Sequence, residues 1–180
     1  MRTGMAAIED NLSTAAGSQQ SFETLLHAHR GILFKIANTY CWHSEDRADL
    51  AQEIVAQLWR AWPSYNPART FTTWMYRVAL NVAISYVRRE SKRSRLSVSL
   101  DENLIESVAA PSAAAEPDER IERVERLQRF IQQQPSLDRA LLLLFLEERP
   151  QKEIAEILGI TPTNVSTKIN RLKQRIRAEL

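Results

Sequence analysis

Thr163, Asn164, Ser166, Thr167, Lys168, Asn170 and Arg171 crowd into nine residues near the end of the chain, with Gln174 one turn on. These are amide, hydroxyl and cationic side chains of a length that reaches base edges and phosphates, so their chemistry is recognition. Two other groupings could be imagined as reactive. Asp46, Asp49 and Glu53 share one helix face and could bind Mg²⁺ or move protons. No phosphate loop and no second ligand cluster accompanies them, so an acidic docking face is the better reading. His27, His29, Cys41 and His43 could suggest zinc, but His27 and His29 stand at i, i+2 and point to different sides of a helix. Metal pairs on helices prefer i, i+3 or i+4. No catalytic residue, metal or cofactor is therefore expected.

The recognition residues need a scaffold, and the flanking sequence describes one. In QKEIAEILGITPTNVSTKINRL, Ile154, Ala155 and Leu158 make the inner face of a first helix. Small Ala155 lets a second helix cross closely. Gly159 suits the turn, Thr161 the N-cap and Pro162 the first position of the second helix. Val165, Ile169, Leu172 and Ile176 then form one buried stripe at helical spacing. The pattern predicts a helix-turn-helix with its polar side free for a major groove.

A second helix is stranger. FTTWMYRVALNVAISYVRR, Phe71 to Arg89, has an N-cap candidate in Thr70 and ends where RRESKRSR turns to charge. At 100° per residue, Phe71, Met75, Val78, Val82 and Tyr86 form one apolar face. Tyr76, Leu80, Ala83 and Val87 form another, nearly opposite. Trp74, Arg77, Asn81 and Arg88 make a narrow strip between them. Two apolar faces predict a helix sandwiched in a bundle, with the strip as its outlet. Trp59 reads as a core aromatic, whereas Trp62 stays open between core and platform.

The remaining elements support an all-α reading with two small domains. Phe22, Leu25, Leu26, Ile32, Leu33 and Ile36 suit amphipathic helices interrupted near Gly31, and Leu50, Ile54, Leu58 and Trp62 recur every fourth residue. Pro63 and Pro67 bracket a loop. Residues 1–20 are small, polar and aperiodic and read as a disordered lead. Residues 21–95 form an N-terminal helical bundle, 96–118 a flexible, acidic, proline-punctuated linker, and 119–180 the helix-turn-helix domain. Net charge is only +2, but basic residues gather at Arg88–Arg95 and at Lys168–Arg177, so a polyanion could be held at two places. Cys41 stands alone, the first residues lack a signal peptide, and ALLLLFL is too short to span a bilayer. A cytoplasmic protein without membrane insertion is expected.

EDRADLAQEIVAQLWRAWPSYNPARTFTTWMYRVALNVAISYVRR resembles the second conserved region of the sigma-70 family, specifically its extracytoplasmic-function (ECF) group. The matching residues are Asp46 and Asp49 before Gln52–Glu53, the Trp59–Arg60–Ala61–Trp62 ending, then Trp74, Tyr76, Arg77, Asn81 and Arg88–Arg89. KEIAEILGI followed by TNVSTKINRLKQRIR resembles the fourth region. The resemblance implies a factor that binds bacterial core RNA polymerase, at its β′ clamp and β flap, and directs initiation at promoters. Asp46, Asp49, Gln52 and Glu53 would form the polymerase-docking face. Tyr65, Trp74, Arg77, Asn81 and Arg88 would hold the melted −10 strand, with Tyr65 and Asn81 at a flipped base. Thr163, Asn164, Ser166, Thr167, Lys168, Asn170 and Arg171 would read the −35 duplex. An anti-sigma factor is an implied candidate partner. The residues alone leave open a helix-turn-helix regulator with a sensing or dimerising N-terminal bundle. The chain departs from the family pattern at Glu148, Arg149 and Pro150, where glycine, an apolar residue and serine or threonine are usual. It departs also at Val55, commonly phenylalanine, and at Ser166, frequently lysine.

Overall fold

A computed structural model describes residues 19–97 and 119–179, with side chains at 19–93 and 124–179. The expected lead, apart from residues 19–20, and the expected linker, apart from residues 96–97, lie outside these; those two linker residues belong to a helix. Every regular element described is helical: α1 (19–28), α2 (Arg30–Tyr40), α3 (Ser44–Ala61), a short 3₁₀ turn (Trp62–Ser64), α4 (Phe71–Ser97), α5 (Glu119–Gln133), α6 (Ser136–Leu146), α7 (Gln151–Leu158) and α8 (Pro162–Glu179).

The N-terminal bundle forms as the spacing predicts. Leu50, Ile54 and Leu58 put α3 against α2 and α4, each fully buried. Glu45 and Asp46 occupy the first turn of α3 and Arg60 its last, both favourable to the helix dipole. The break after α1 falls at His29 rather than Gly31, which is inside α2. α4 also runs further than expected, through RRESKRSR to Ser97. Arg, Lys and Glu are good helix formers, so charge ends the buried stretch without ending the helix.

The C-terminal bundle is built on α6, whose Ala140–Leu144 run is buried throughout. α7 and α8 make the predicted helix-turn-helix. Gly159 takes the left-handed conformation at φ 67, Ile160 N–H donates to the Ala155 carbonyl, and Asn164 N–H donates to Thr161 Oγ1 at 3.2 Å. Val165, Ile169 and Leu172 are buried, and Ile176 half so. Ile157 joins Ile154 and Ala155 in the core, while Leu158 is only half-buried.

The same capping geometry occurs at the end of α6 with a different residue. Arg149 N–H donates to the Leu144 carbonyl at 3.1 Å, and Glu148 adopts φ 56. That position calls for glycine, because a Cβ there crowds the following carbonyl. The departure at Glu148 thus costs stability without altering the turn, and Pro150 stands just before α7, its carbonyl accepting from Ile154 N–H.

The two bundles pack together. α2 meets α5 and α6, and α4 meets α6 and α7. α4 is thus buried beyond a single face: Met75, Tyr76, Ala79, Leu80 and Ala83 are each at most 1% exposed. Replacing Glu148 with glycine should raise stability by about 0.5–1 kcal/mol, after allowance for glycine's extra backbone freedom. A urea titration checks this: the midpoint should rise at unchanged slope.

Candidate nucleic-acid interface

The strip on α4 opens into a concavity of about 420 Å³ lined by Ala61, Ser64, Asn66, Arg69, Trp74, Arg77, Val78 and Asn81. One wall is the loop before α4, held by its own side chains. Ser64 Oγ donates to the Ala61 carbonyl at 2.6 Å, Asn66 Oδ1 accepts from Ala68 N–H at 2.9 Å, and Tyr65 O–H donates to the Arg69 carbonyl at 3.0 Å. Behind the loop lies an aromatic stack. Trp62 and Tyr65 are parallel with centroids 5.1 Å apart, and Tyr65 lies 5.2 Å from Trp74 and 5.8 Å from Phe71. Arg77 and Asn81 are exposed on the opposite wall. Planar stacking surface, amide and guanidinium thus converge on one concave site of nucleobase dimensions.

Trp74, Arg77 and Asn81 share this cavity, as the strip predicts. Tyr65 supports Trp74 from behind and is not a lining residue. Arg88 lies further along α4, in a separate cleft with Val87, Lys92, Gln134 and Arg139. Asn66, Ser64 and Arg69 are lining residues that the helical wheel missed. The SYNPAR loop, directly preceding the helix, was the available signal. Trp59 departs from expectation. It is 45% exposed, with an edge contact to Phe22 at 5.1 Å. Trp62 is half-buried at the centre of the aromatic cluster, edge-on to Phe71 and Trp74.

On α3, Asp49 and Gln52 are exposed, and Asp46 and Glu53 half-buried. Glu53 accepts from Arg89 at 2.6 Å, which ties the acidic face to the basic end of α4. Burial, then the Asp46 carboxylate, pushes the Cys41 thiol up to about 11 and the Tyr86 phenol to about 12. Of the residues weighed as zinc ligands, His27 is exposed and His29 lies against Phe71 at 5.5 Å. Among the described residues no group of His, Cys, Asp and Glu is arranged to hold a metal.

On α8, Thr163, Asn164, Thr167, Asn170 and Arg171 are exposed along one side, and Ser166 is half-buried. Lys168 is turned toward α6, where it pairs with Asp138 at 3.1 Å. The basic run that follows is partly structural. Lys173 lies over Phe145, and Arg175 donates to Gln134 Oε1 at 2.6 Å while covering Phe130. The Gln134 amide in turn donates to the Phe130 carbonyl at 2.8 Å.

Residues 25–93 match the model for sigma-70 region 2, and residues 124–176 that for sigma-70 region 4. The ECF RNA polymerase sigma factor SigM of Bacillus subtilis is 30% identical over 131 residues, spanning 72% of this chain and 77% of that one. The chain belongs to the sigma-70 family. Its relatives are of the ECF type: SigW of Bacillus subtilis is 24% identical over 170 residues, covering 91% of each chain. The sigma factor RpoE of Bartonella quintana, solved with the anti-sigma factor NepR, shares the fold at a TM-score of 0.67 and 18% identity, over 88% of this chain and 96% of that one. Transcription initiation through RNA polymerase is accordingly the business of this sigma factor. No described helix is long and apolar enough to cross a membrane.

Cys41 is 6% exposed, and its raised pKa leaves about 100-fold less thiolate than an unperturbed cysteine at pH 8. Alkylation of the folded protein by iodoacetamide should be at least that much slower than of a free thiol. The folded-state rate should climb about ten-fold per pH unit below pH 11; mass spectrometry across a pH series reads it, and a free-thiol rate at pH 8 would contradict the buried placement.

Proposed function

We propose that this sigma factor docks on core RNA polymerase through Asp49, Gln52 and Glu53 on α3, with Asp46 at the edge of the same face. The bound factor reads the −35 duplex with α8 and holds the melted −10 non-template strand at the α4 cavity. The observation that carries the reading is the cavity itself: Trp74, Arg77 and Asn81 meet the Ser64–Arg69 loop around a space of about 420 Å³. A base inside a duplex could not enter it. A base flipped out of a melted strand presents a face to stack and a Watson–Crick edge to hydrogen-bond.

α8 suits the other task. Thr163, Asn164, Thr167, Asn170 and Arg171 project from the first half of a helix fixed by a capped turn, the geometry that enters a major groove. Lys168 serves by its bridge to Asp138, holding α8 on α6, and Ser166 makes at most a peripheral contact. Arg88, beside Lys92, is placed for phosphates. The factor provides recognition only; covalent chemistry belongs to the polymerase, in the cytoplasm. An anti-sigma protein, as crystallised with RpoE, is a fitting regulator.

Adding the purified chain to bacterial core polymerase should yield promoter-dependent transcripts. Duplex binding without polymerase, and no transcript, would instead indicate a stand-alone regulator. Gln52→Ala with Glu53→Ala should weaken polymerase binding while changing stability by less than about 1 kcal/mol, since the Glu53–Arg89 pair is solvent-accessible. Unaltered polymerase affinity would refute that docking face. Arg171→Ala should cost about 1–3 kcal/mol at promoters with an intact −35 element and little at promoters lacking one. Asn81→Ala should weaken binding to a fork-junction probe with an unpaired −10 strand, and spare the fully paired −35 duplex.

A further inference from the structure

A cleft of about 480 Å³, separate from the α4 cavity, opens between the far half of α4 and the start of α6. α4 supplies one wall through Arg88, Ser91 and Lys92, all exposed. The other wall is Ser136 and Arg139, half-buried in the first turns of α6. Three cations from two helices thus line one space, and no residue lining it is acidic. Arg88, Lys92 and Arg139 enter no ion pair among the described residues. The acids on the same two helices are engaged elsewhere: Glu90 lies 3.9 Å from Arg93, and Asp138 pairs with Lys168 at 3.1 Å.

The α6 wall is built to hold its cation in place. Tyr40 O–H donates to the Ser136 carbonyl at 2.7 Å, which ties the start of α6 to α2. Arg139 Nε donates to the Gln134 carbonyl at 2.9 Å, and its guanidinium lies 6.0 Å over the Tyr40 ring. These contacts orient the guanidinium without neutralising it. Burial lowers its pKa, and the groups that oppose the shift are Tyr40 and Cys41 rather than a carboxylate. A half-buried cation without a counter-ion is unfavourable, and an anion in the cleft would offset that penalty. α6 also begins after Pro135 with no side-chain cap, so N–H groups of its first turn are left at the same edge.

We infer that this cleft binds a compact polyphosphate, free or carried by a nucleotide. Adjacent phosphate groups match cations gathered on both walls of one space, and an arginine fork takes two phosphate oxygens at once. Val87 and Pro135 add apolar wall beside them. A nucleic-acid strand fits less well. Its phosphates run in a line and suit the outward row of Arg88 and Lys92, whereas Arg139 is half-buried on the facing wall. The inference does not rest on the promoter reading, whose cavity lies elsewhere on α4.

The test titrates the full chain by calorimetry, in buffer free of phosphate and divalent cations, with sodium tripolyphosphate, ATP and, at matched ionic strength, sodium sulfate. Tripolyphosphate should occupy one site per chain and bind at least about ten-fold more tightly than sulfate. Lys92→Gln, at an exposed position, should weaken it about ten-fold and leave the melting temperature of the ligand-free protein unchanged. Arg139→Gln should weaken it more, and Arg139→Lys should recover part of the loss by restoring charge without the fork. Arg177→Gln, at an exposed position on α8, should change nothing. ATP binding more tightly than tripolyphosphate would name a nucleotide as the ligand, and the reverse order a free polyphosphate. Sulfate binding as tightly as tripolyphosphate would overturn the inference, as would equal losses from Lys92→Gln and Arg177→Gln, since either means diffuse attraction. A short oligothymidylate that displaces tripolyphosphate and depends equally on Arg139 and Lys92 would overturn it too, by assigning the cleft to a nucleic-acid backbone.

Discussion

Everything in this molecule depends on α4 being buried from two sides. A helix packed on one face exposes half its circumference, and its polar residues then spread over a broad wet surface. Here the N-terminal bundle takes Phe71 and Met75, and the C-terminal half closes over Tyr76 and Thr73. What remains is a strip about one side chain wide, carrying Arg77, Asn81, Ser85 and Arg88. Narrowness is what makes it a site. With no alternative surface to lie on, the polar side chains project in a row, and the loop before the helix turns the head of that row into a cavity.

The loop itself is positioned by aromatic packing. Trp62, Tyr65, Phe71 and Trp74 touch pairwise, so the chain's path from α3 to α4 is set by large rigid groups with few rotamers. The short hydrogen bonds of Ser64, Asn66 and Tyr65 to nearby backbone then fix the rim. Preorganisation of this kind spares a flexible ligand some of the ordering cost of binding.

Local order was legible in the sequence because it follows from period and capping. The stripe Val165–Ile169–Leu172, the turn glycine at 159 and the cap at Thr161 each rest on interactions within a few residues, and all three appear in the structure. The acid–amide face of α3 and the two faces of α4 were legible for the same reason. What spacing could not supply was the identity of the neighbour across each face. Nothing near Tyr76 indicates that Arg149 will cover it, and nothing near Lys168 indicates Asp138. Trp59 read as core because tryptophan usually is; its exposure depends on where the bundle ends. The cavity was half visible, since a helical wheel records residues on the helix and is blind to the Ser64–Arg69 loop that completes it.

The interface between the bundles is edged by charged pairs. Its ion pairs are partly exposed, with Arg69 and Glu156 at 55% and 43% side-chain exposure and Lys35 and Glu147 at 50% and 25%. Exposed pairs contribute about 0–1 kcal/mol each and weaken with salt. The Arg149 guanidinium adds a contact over the Tyr76 ring at 5.1 Å. Both bundles contribute to one hydrophobic core, α3 with Leu50, Ile54 and Leu58 and α6 with Ala140–Leu144.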